Sequence, residues 1–284
     1  MVTRFWRART FWLLAAALLG TLVLRTLLAV LPVNIHAPRL DDLFLALAML
    51  GALAAVGAGH RTLRRNDWII ALVLGGAVAL GLYFATLFSP YPLGGIVRSR
   101  LGQAVARGFI TLIGTLGGLG LMRRGGPVRV SAAAGSWRKV AASLSLALAA
   151  GLPLAVLNVF ALYLTSGQAI AWQSPLAAGL DAWQPAVVEE VVYRFALLSL
   201  FWLALRRSQP RHAAWLAALL ALLAHTFMHF DDLFVQAPFA ALGLGAVTAL
   251  LWGLPLTILA LRRDLESAIA FHWIQDAARF VAGF

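Results

Sequence analysis

The chain has 284 residues, 62% of them hydrophobic and only 12% charged, against roughly 45 to 50% and about 25% in an average soluble domain. Long stretches offer no polar face, which excludes an ordinary water-soluble fold and points to lipid as the main solvent. The formal charge of +12 would suggest nucleic acid in a soluble protein, but Lys139 is the sole lysine among 23 basic residues. The arginines sit in short clusters between apolar runs, as topology-setting charges beside lipid headgroups do. The absence of cysteine removes disulfides, thiolate nucleophiles and cysteine-ligated metal centres.

A hydrocarbon core about 30 Å thick takes about 20 apolar helical residues to cross. Eight or nine such runs emerge: 11–31, 43–58, 68–88, 104–122, 140–164, 186–205, 213–230, 239–261 and 267–284. The first follows Arg4, Arg7 and Arg9 and resembles a signal peptide, but it is long, carries Arg25 and has no clear small-residue cleavage site, so it reads as a retained span. If all nine cross, clusters such as Arg61/Arg64/Arg65, Arg123/Arg124, Arg206/Arg207 and Arg262/Arg263 fall on alternate connections, which predicts a cytoplasmic N-terminus. No alternating strand pattern and no fixed-period repeat is visible. The predicted fold is therefore all-α, a polytopic transmembrane helical bundle of about 8–9 spans, divided into N-terminal spans 1–139 of unknown role and a helical bundle 140–284. The Ala, Leu and Arg bias suggests a GC-rich bacterial genome and a bacterial inner membrane.

Ionisable groups inside a span cost about 2.5 to 3.5 kcal/mol each at mid-bilayer unless they face a partner or water. The sixth run holds two of the three glutamates, in Val-Val-Glu-Glu-Val-Val-Tyr-Arg. A helix places Glu190 and Arg194 on one face, where an ion pair offsets desolvation, and turns Glu189 about 100° away. The seventh run sets His225 and His229 one turn apart, and the ninth does the same for His272 and Asp276. Three helices thus each present a polar pair suited to a shared interior cavity. A buried polar network that only locks helices together is the plain alternative. Their concentration in the last third favours chemistry: a carboxylate and an imidazole can hold and deprotonate a water, while a second imidazole stabilises an oxyanion. His36, His60 and His212, beside arginines in connections, read as interfacial. Arg25 and Arg107 read as snorkelling or pairing between helices, and Trp6, Trp12, Trp68, Trp137 and Trp183 as an aromatic belt.

At these residues the sequence resembles the CPBP family of intramembrane endopeptidases, which includes the CAAX prenyl endopeptidases, over about residues 180 to 280. The family pattern is EExxxR, then FxxxH, then HxxxN or HxxxD. Glu189, Glu190 and Arg194 fit the first motif, and His272 with Asp276 the third, with Asp for the commoner Asn. In the second, Ala221 stands where the family has Phe; His225 is preferred as its histidine, and His229 is the other choice. The resemblance implies a metal-independent endopeptidase in which Glu189 is the general base sharing a water with His225, His272 stabilises the oxyanion, and Glu190 and Arg194 hold the motif helix. Asp276 would orient His272 or stay neutral. No cofactor is expected, and zinc held by His225, His229, His272 and a glutamate is the competing account of the same side chains. The expected partners are the bilayer and a membrane-anchored protein or peptide substrate, with no nucleic acid; a non-catalytic scaffold or transporter is the reading from a different class.

Counting 1.5 Å per residue from the arginine clusters sets Glu189 about 25 Å and His225 about 20 Å from the cytoplasmic edge, but His272 only about 10 to 15 Å above Arg263. A deeper start to the ninth span, or a re-entrant piece between Asp231 and Leu261, would reconcile the levels.

Overall fold

The computed structural model describes residues 2–31 and 38–284, with side chains from Arg9 onward. His36 and the side chains of Arg4, Trp6 and Arg7 lie outside the described residues. The apolar runs form helices α1 (Val2–Val30), α2 (Leu40–Gly59), α3 (Arg65–Phe84), α4 (Arg100–Arg123) and α5 (Trp137–Ser166). Then α6 (Pro175–Glu189) continues through a π-helical segment, Glu190–Leu197, into α7 (Leu198–Leu205). After α8 (Ala213–Met228) and the short α9 (Asp231–Gln236), α10 (Pro238–Thr248) runs through a second π segment, Ala249–Gly253, into α11 (Leu254–Arg262); α12 (Leu265–Ala282) closes the chain. Among the described residues six of these spans are long and apolar enough to cross a membrane. Outward faces carry Trp12, Val73, Phe160 and Leu250, all exposed, as acyl chains rather than water require. The protein is a helical membrane bundle.

The sixth element starts earlier than its hydropathy suggests. Ser174 caps Ala177 N and Pro175 occupies the first turn, a favourable start signal, while Asp181 and Gln184 are buried against neighbours. Trp183, expected at a lipid interface, packs against the core. The Asp181 carboxylate accepts the backbone N–H groups of Thr86, Leu87 and Phe88, anchoring the connection after α3 to α6. Between Asp231 and Leu261 the chain turns through α9 into one continuous helical run, with no re-entrant loop. Arg25 on α1 reaches Asp231 Oδ1 at 3.0 Å, and Asp231 also accepts Leu40 N at 3.0 Å, so one buried carboxylate ties α1, α2 and α9 together.

Helices α2, α4 and α6–α7 run parallel and side by side. A Cβ on Gly114 of α4 would fall 2.8 Å from Val191 Cγ1, and one on Gly118 would overlap the Phe195 ring. Only glycine lets the π segment approach this closely. The core contains Val187, Val191, Phe195 and Leu198 from this segment, with Leu119 of α4 and Ala48 of α2.

The last helix starts deep. Its N-cap, Asp264, accepts Ser267 N at 3.0 Å and the hydroxyls of Ser131 and Ser143 at 2.7 Å each. Ser143 lies six residues into α5, so α12 begins about 9 Å further along the bundle than α5 does. The connection between α4 and α5 fills the space beneath: Val128, Val130 and Ala133 join the core, and Arg129 O accepts Leu265 N at 2.9 Å. This recess lifts His272 to the level of Glu189 and supplies the deeper start that the arginine count required.

Candidate active site

The end of α6 and the π segment present two glutamates in different directions. Glu190, with 0% of its side chain exposed, accepts Arg194 Nη1 at 2.9 Å, as the four-residue spacing predicts. Its Oε1 also lies 2.9 Å from His272 Nδ1 on α12, so an Nδ1–H donated to this carboxylate fixes the ring and turns Nε2 toward Glu189. The π segment itself was not foreseen; such segments add a residue to a turn and recur at functional sites.

Glu189 remains 22% exposed and faces a cavity. Its Oε2 lies 2.7 Å from His225 Nε2, 3.7 Å from His229 Nε2 and 3.9 Å from His272 Nε2. His225, buried on α8, makes the direct hydrogen bond, donated to the carboxylate. His229, one turn on, is 42% exposed and meets the His225 ring edge to face at 4.9 Å. Asp276 Oδ2 stands 3.5 Å from His272 Nε2, and its Oδ1 accepts Arg279 at 3.1 Å. All seven side chains singled out in the sequence therefore lie in one contiguous cluster drawn from three helical elements.

The cavity beside Glu189 has a volume of about 800 Å³ and extends to Arg39, Tyr91 and Arg279, at the end of the bundle where α2, α4 and α6 begin. Residues that sequence reasoning did not assign to the site line the cavity or pack behind its lining: Asp41 lines it, and Tyr193 packs against Asp41 and His225. The Tyr193 hydroxyl donates to Asp41 of α2 at 2.8 Å, and the Tyr193 ring packs 4.8 Å from that of His225. Arg107 of α4 and Gln184 of α6 also line it. Tyr193 sits inside the glutamate motif and was within reach of a closer reading. Asp41 and Arg107 lie far upstream; Arg107 stood out only as a charge inside an apolar run, and Asp41 carried no local signal.

Glu189, His225 and His229 offer ligand atoms within 4.8 Å of one another, so this corner has the donor types and spacing to hold a zinc-like cation with an open coordination position.

Residues 171–278 match the family model described as Type II CAAX prenyl endopeptidase Rce1-like. No curated protein and no solved structure matches the chain. The matched stretch begins just before α6 and runs through most of α12, enclosing both glutamates, Arg194, the three cavity histidines and Asp276. Over this segment the chain is similar to the Rce1-like CAAX-type membrane endopeptidases.

Proposed function

We propose that the protein hydrolyses a peptide bond of a membrane-anchored protein or peptide, with Glu189 as general base and no metal. The observation that carries this reading is one carboxylate oxygen facing imidazoles from two other helices at 2.7 to 3.9 Å, beside a cavity. A water held on the Glu189 carboxylate, on the side facing the cavity, attacks the scissile carbonyl carbon. Glu189 takes its proton as the C–O bond forms, and His225 keeps the carboxylate aimed. The carbonyl oxygen becomes an oxyanion, stabilised by His272 Nε2–H. With Nδ1–H donated to Glu190, the ring is then an imidazolium, and Glu190 and Asp276 supply its counter-charge. Collapse breaks the C–N bond, and the proton on Glu189 passes to the leaving amine. Glu190 and Arg194 act as positioning residues, Glu190 through His272.

The test is cleavage of a fluorogenic peptide library by purified protein in lipid vesicles. Glu189→Gln is expected to lower kcat by at least about 100-fold, the lower bound for losing a general base, with unchanged thermal unfolding. A fully active Glu189→Gln protein would overturn the mechanism. The spacing of Glu189, His225 and His229 supports a zinc-dependent variant of the same hydrolysis. Chelation decides between the two: activity unaffected by 1,10-phenanthroline is expected, whereas complete loss restored by Zn²⁺ would establish the metal reading.

A further inference from the structure

One wall of the cavity carries side-chain amides that the fold itself leaves unused. Gln184 of α6 and Gln275 of α12 both line it and are only 2% and 5% exposed. The Oε1 atom of each is buried without a hydrogen-bond partner. Gln275 is fastened at its other atom, where Nε2 donates to Gly151 O of α5 at 2.8 Å. The Gln184 side chain makes no bond among the described residues. Buried amides are normally paired, and an unpaired one is costly in an apolar interior.

A helical site has a particular need for such groups. An extended peptide exposes an N–H and a C=O at every residue, and in a low-dielectric cavity each requires a partner. A sheet supplies partners from an open strand edge. Helices do not, since their backbone groups are paired within their own turns, and the walls facing Glu189 belong to α5, α6, α8 and α12. A carboxamide offers the same donor and acceptor as a peptide unit. It is the side chain by which a helical wall presents a backbone-like edge. The terminal torsion of glutamine is soft, so Gln184 can turn either atom toward a ligand.

The heights fit a peptide. Ala282 O at the end of α12 accepts Ala171 N, just before α6, at 3.1 Å, so the two helices run antiparallel. Gln184 lies five residues before Glu189, about 7.5 Å toward the cavity mouth, and Gln275 three residues after His272, about 4.5 Å in the same direction. An extended chain advances about 3.3 to 3.6 Å per residue, which sets the two amides one and two residues beyond a carbonyl held at Glu189. Helix α5 runs parallel to α12, with Ser143 beside Asp264 and Gly151 beside Gln275. Seven residues past Gly151, about 10 Å nearer the mouth, Asn158 lines the cavity as well.

We propose that Gln184 and Gln275 bind the main chain of an extended peptide, pairing with its N–H and C=O groups, and that Asn158 continues this edge toward the mouth. The substrate is then held unwound over the bound stretch. The identity of the ligand rests on the endopeptidase reading, whereas the binding edge rests on the unpaired buried amides.

Binding separates the two. Glu189→Gln protein in phosphatidylcholine vesicles is titrated with a fluorescein-labelled apolar nonapeptide blocked at both ends. A set of analogues replaces one backbone amide at a time by an ester, which removes an N–H and keeps every side chain. Two neighbouring ester positions are expected to weaken binding about three- to tenfold, the range for one neutral hydrogen bond. Gln184→Met, added to the same protein, is expected to erase the penalty at one of them and Gln275→Met at the other. Without peptide, Gln184→Met is expected to unfold at the same temperature or higher, since it removes an unpaired buried amide; a marked lowering would show that the fold uses this group and would overturn its role. A flat ester profile, no binding of the parent peptide, or penalties that survive both replacements would also overturn the proposal. A stepped profile in a protein whose native form cleaves no peptide would refute the endopeptidase reading and leave the binding edge standing; cleavage with a flat profile would do the reverse.

Discussion

Glu190 is enclosed completely and serves two partners, Arg194 on its own segment and His272 on α12. Removing one member of a buried ion pair leaves the other uncompensated, at about 3 to 5 kcal/mol. Arg194→Met is therefore expected to lower the thermal unfolding temperature strongly. Glu190→Gln combined with Arg194→Met is expected to recover much of that loss, because the unpaired charge is gone. Activity should not return with stability, since His272 would still lack the carboxylate at its Nδ1. Fluorescence thermal shift and peptide turnover, measured on the same preparations, check both outcomes; recovery of both would mean that Glu190 has no part in aiming His272.

The π segment depends on α4 as much as on its own residues. Gly118→Ala would drive a methyl into the Phe195 ring, and overpacking of this kind costs about 1 to 3 kcal/mol. Phe195→Leu in the same chain is expected to relieve it, a coupling that a double-mutant cycle on unfolding temperature measures; purely additive effects would contradict the contact. Elements of this bundle were legible in the sequence where burial and hydropathy agree. The first turns of α6 were not, because Asp181 and Gln184 turn inward to cap and pack, so a buried stretch reads as polar. The motif pairs on α6, α8 and α12 were legible, since a four-residue spacing fixes a shared face whatever surrounds it. Asp41 and Arg107 were not: their place at the cavity comes from packing between helices distant in sequence.

Across the whole molecule the helices alternate in direction, so the connections at 167–174 and 206–212 fall at opposite ends of the bundle. The sequence contains no cysteine, which makes single replacements clean reporters. Gln168→Cys and Ser208→Cys are expected to react with an impermeant maleimide from opposite sides of oriented vesicles, and labelling of both from one side would refute nine crossings. The recessed start of α12, with the connection between α4 and α5 packed beneath it, gives the two ends of the bundle different characters. One is stoppered by Val128, Val130 and Ala133, and the other opens past Arg39 and Tyr91. Under the proposed hydrolysis, a substrate would enter and its fragments would leave away from the stoppered end, so arrival and departure share one half of the bundle.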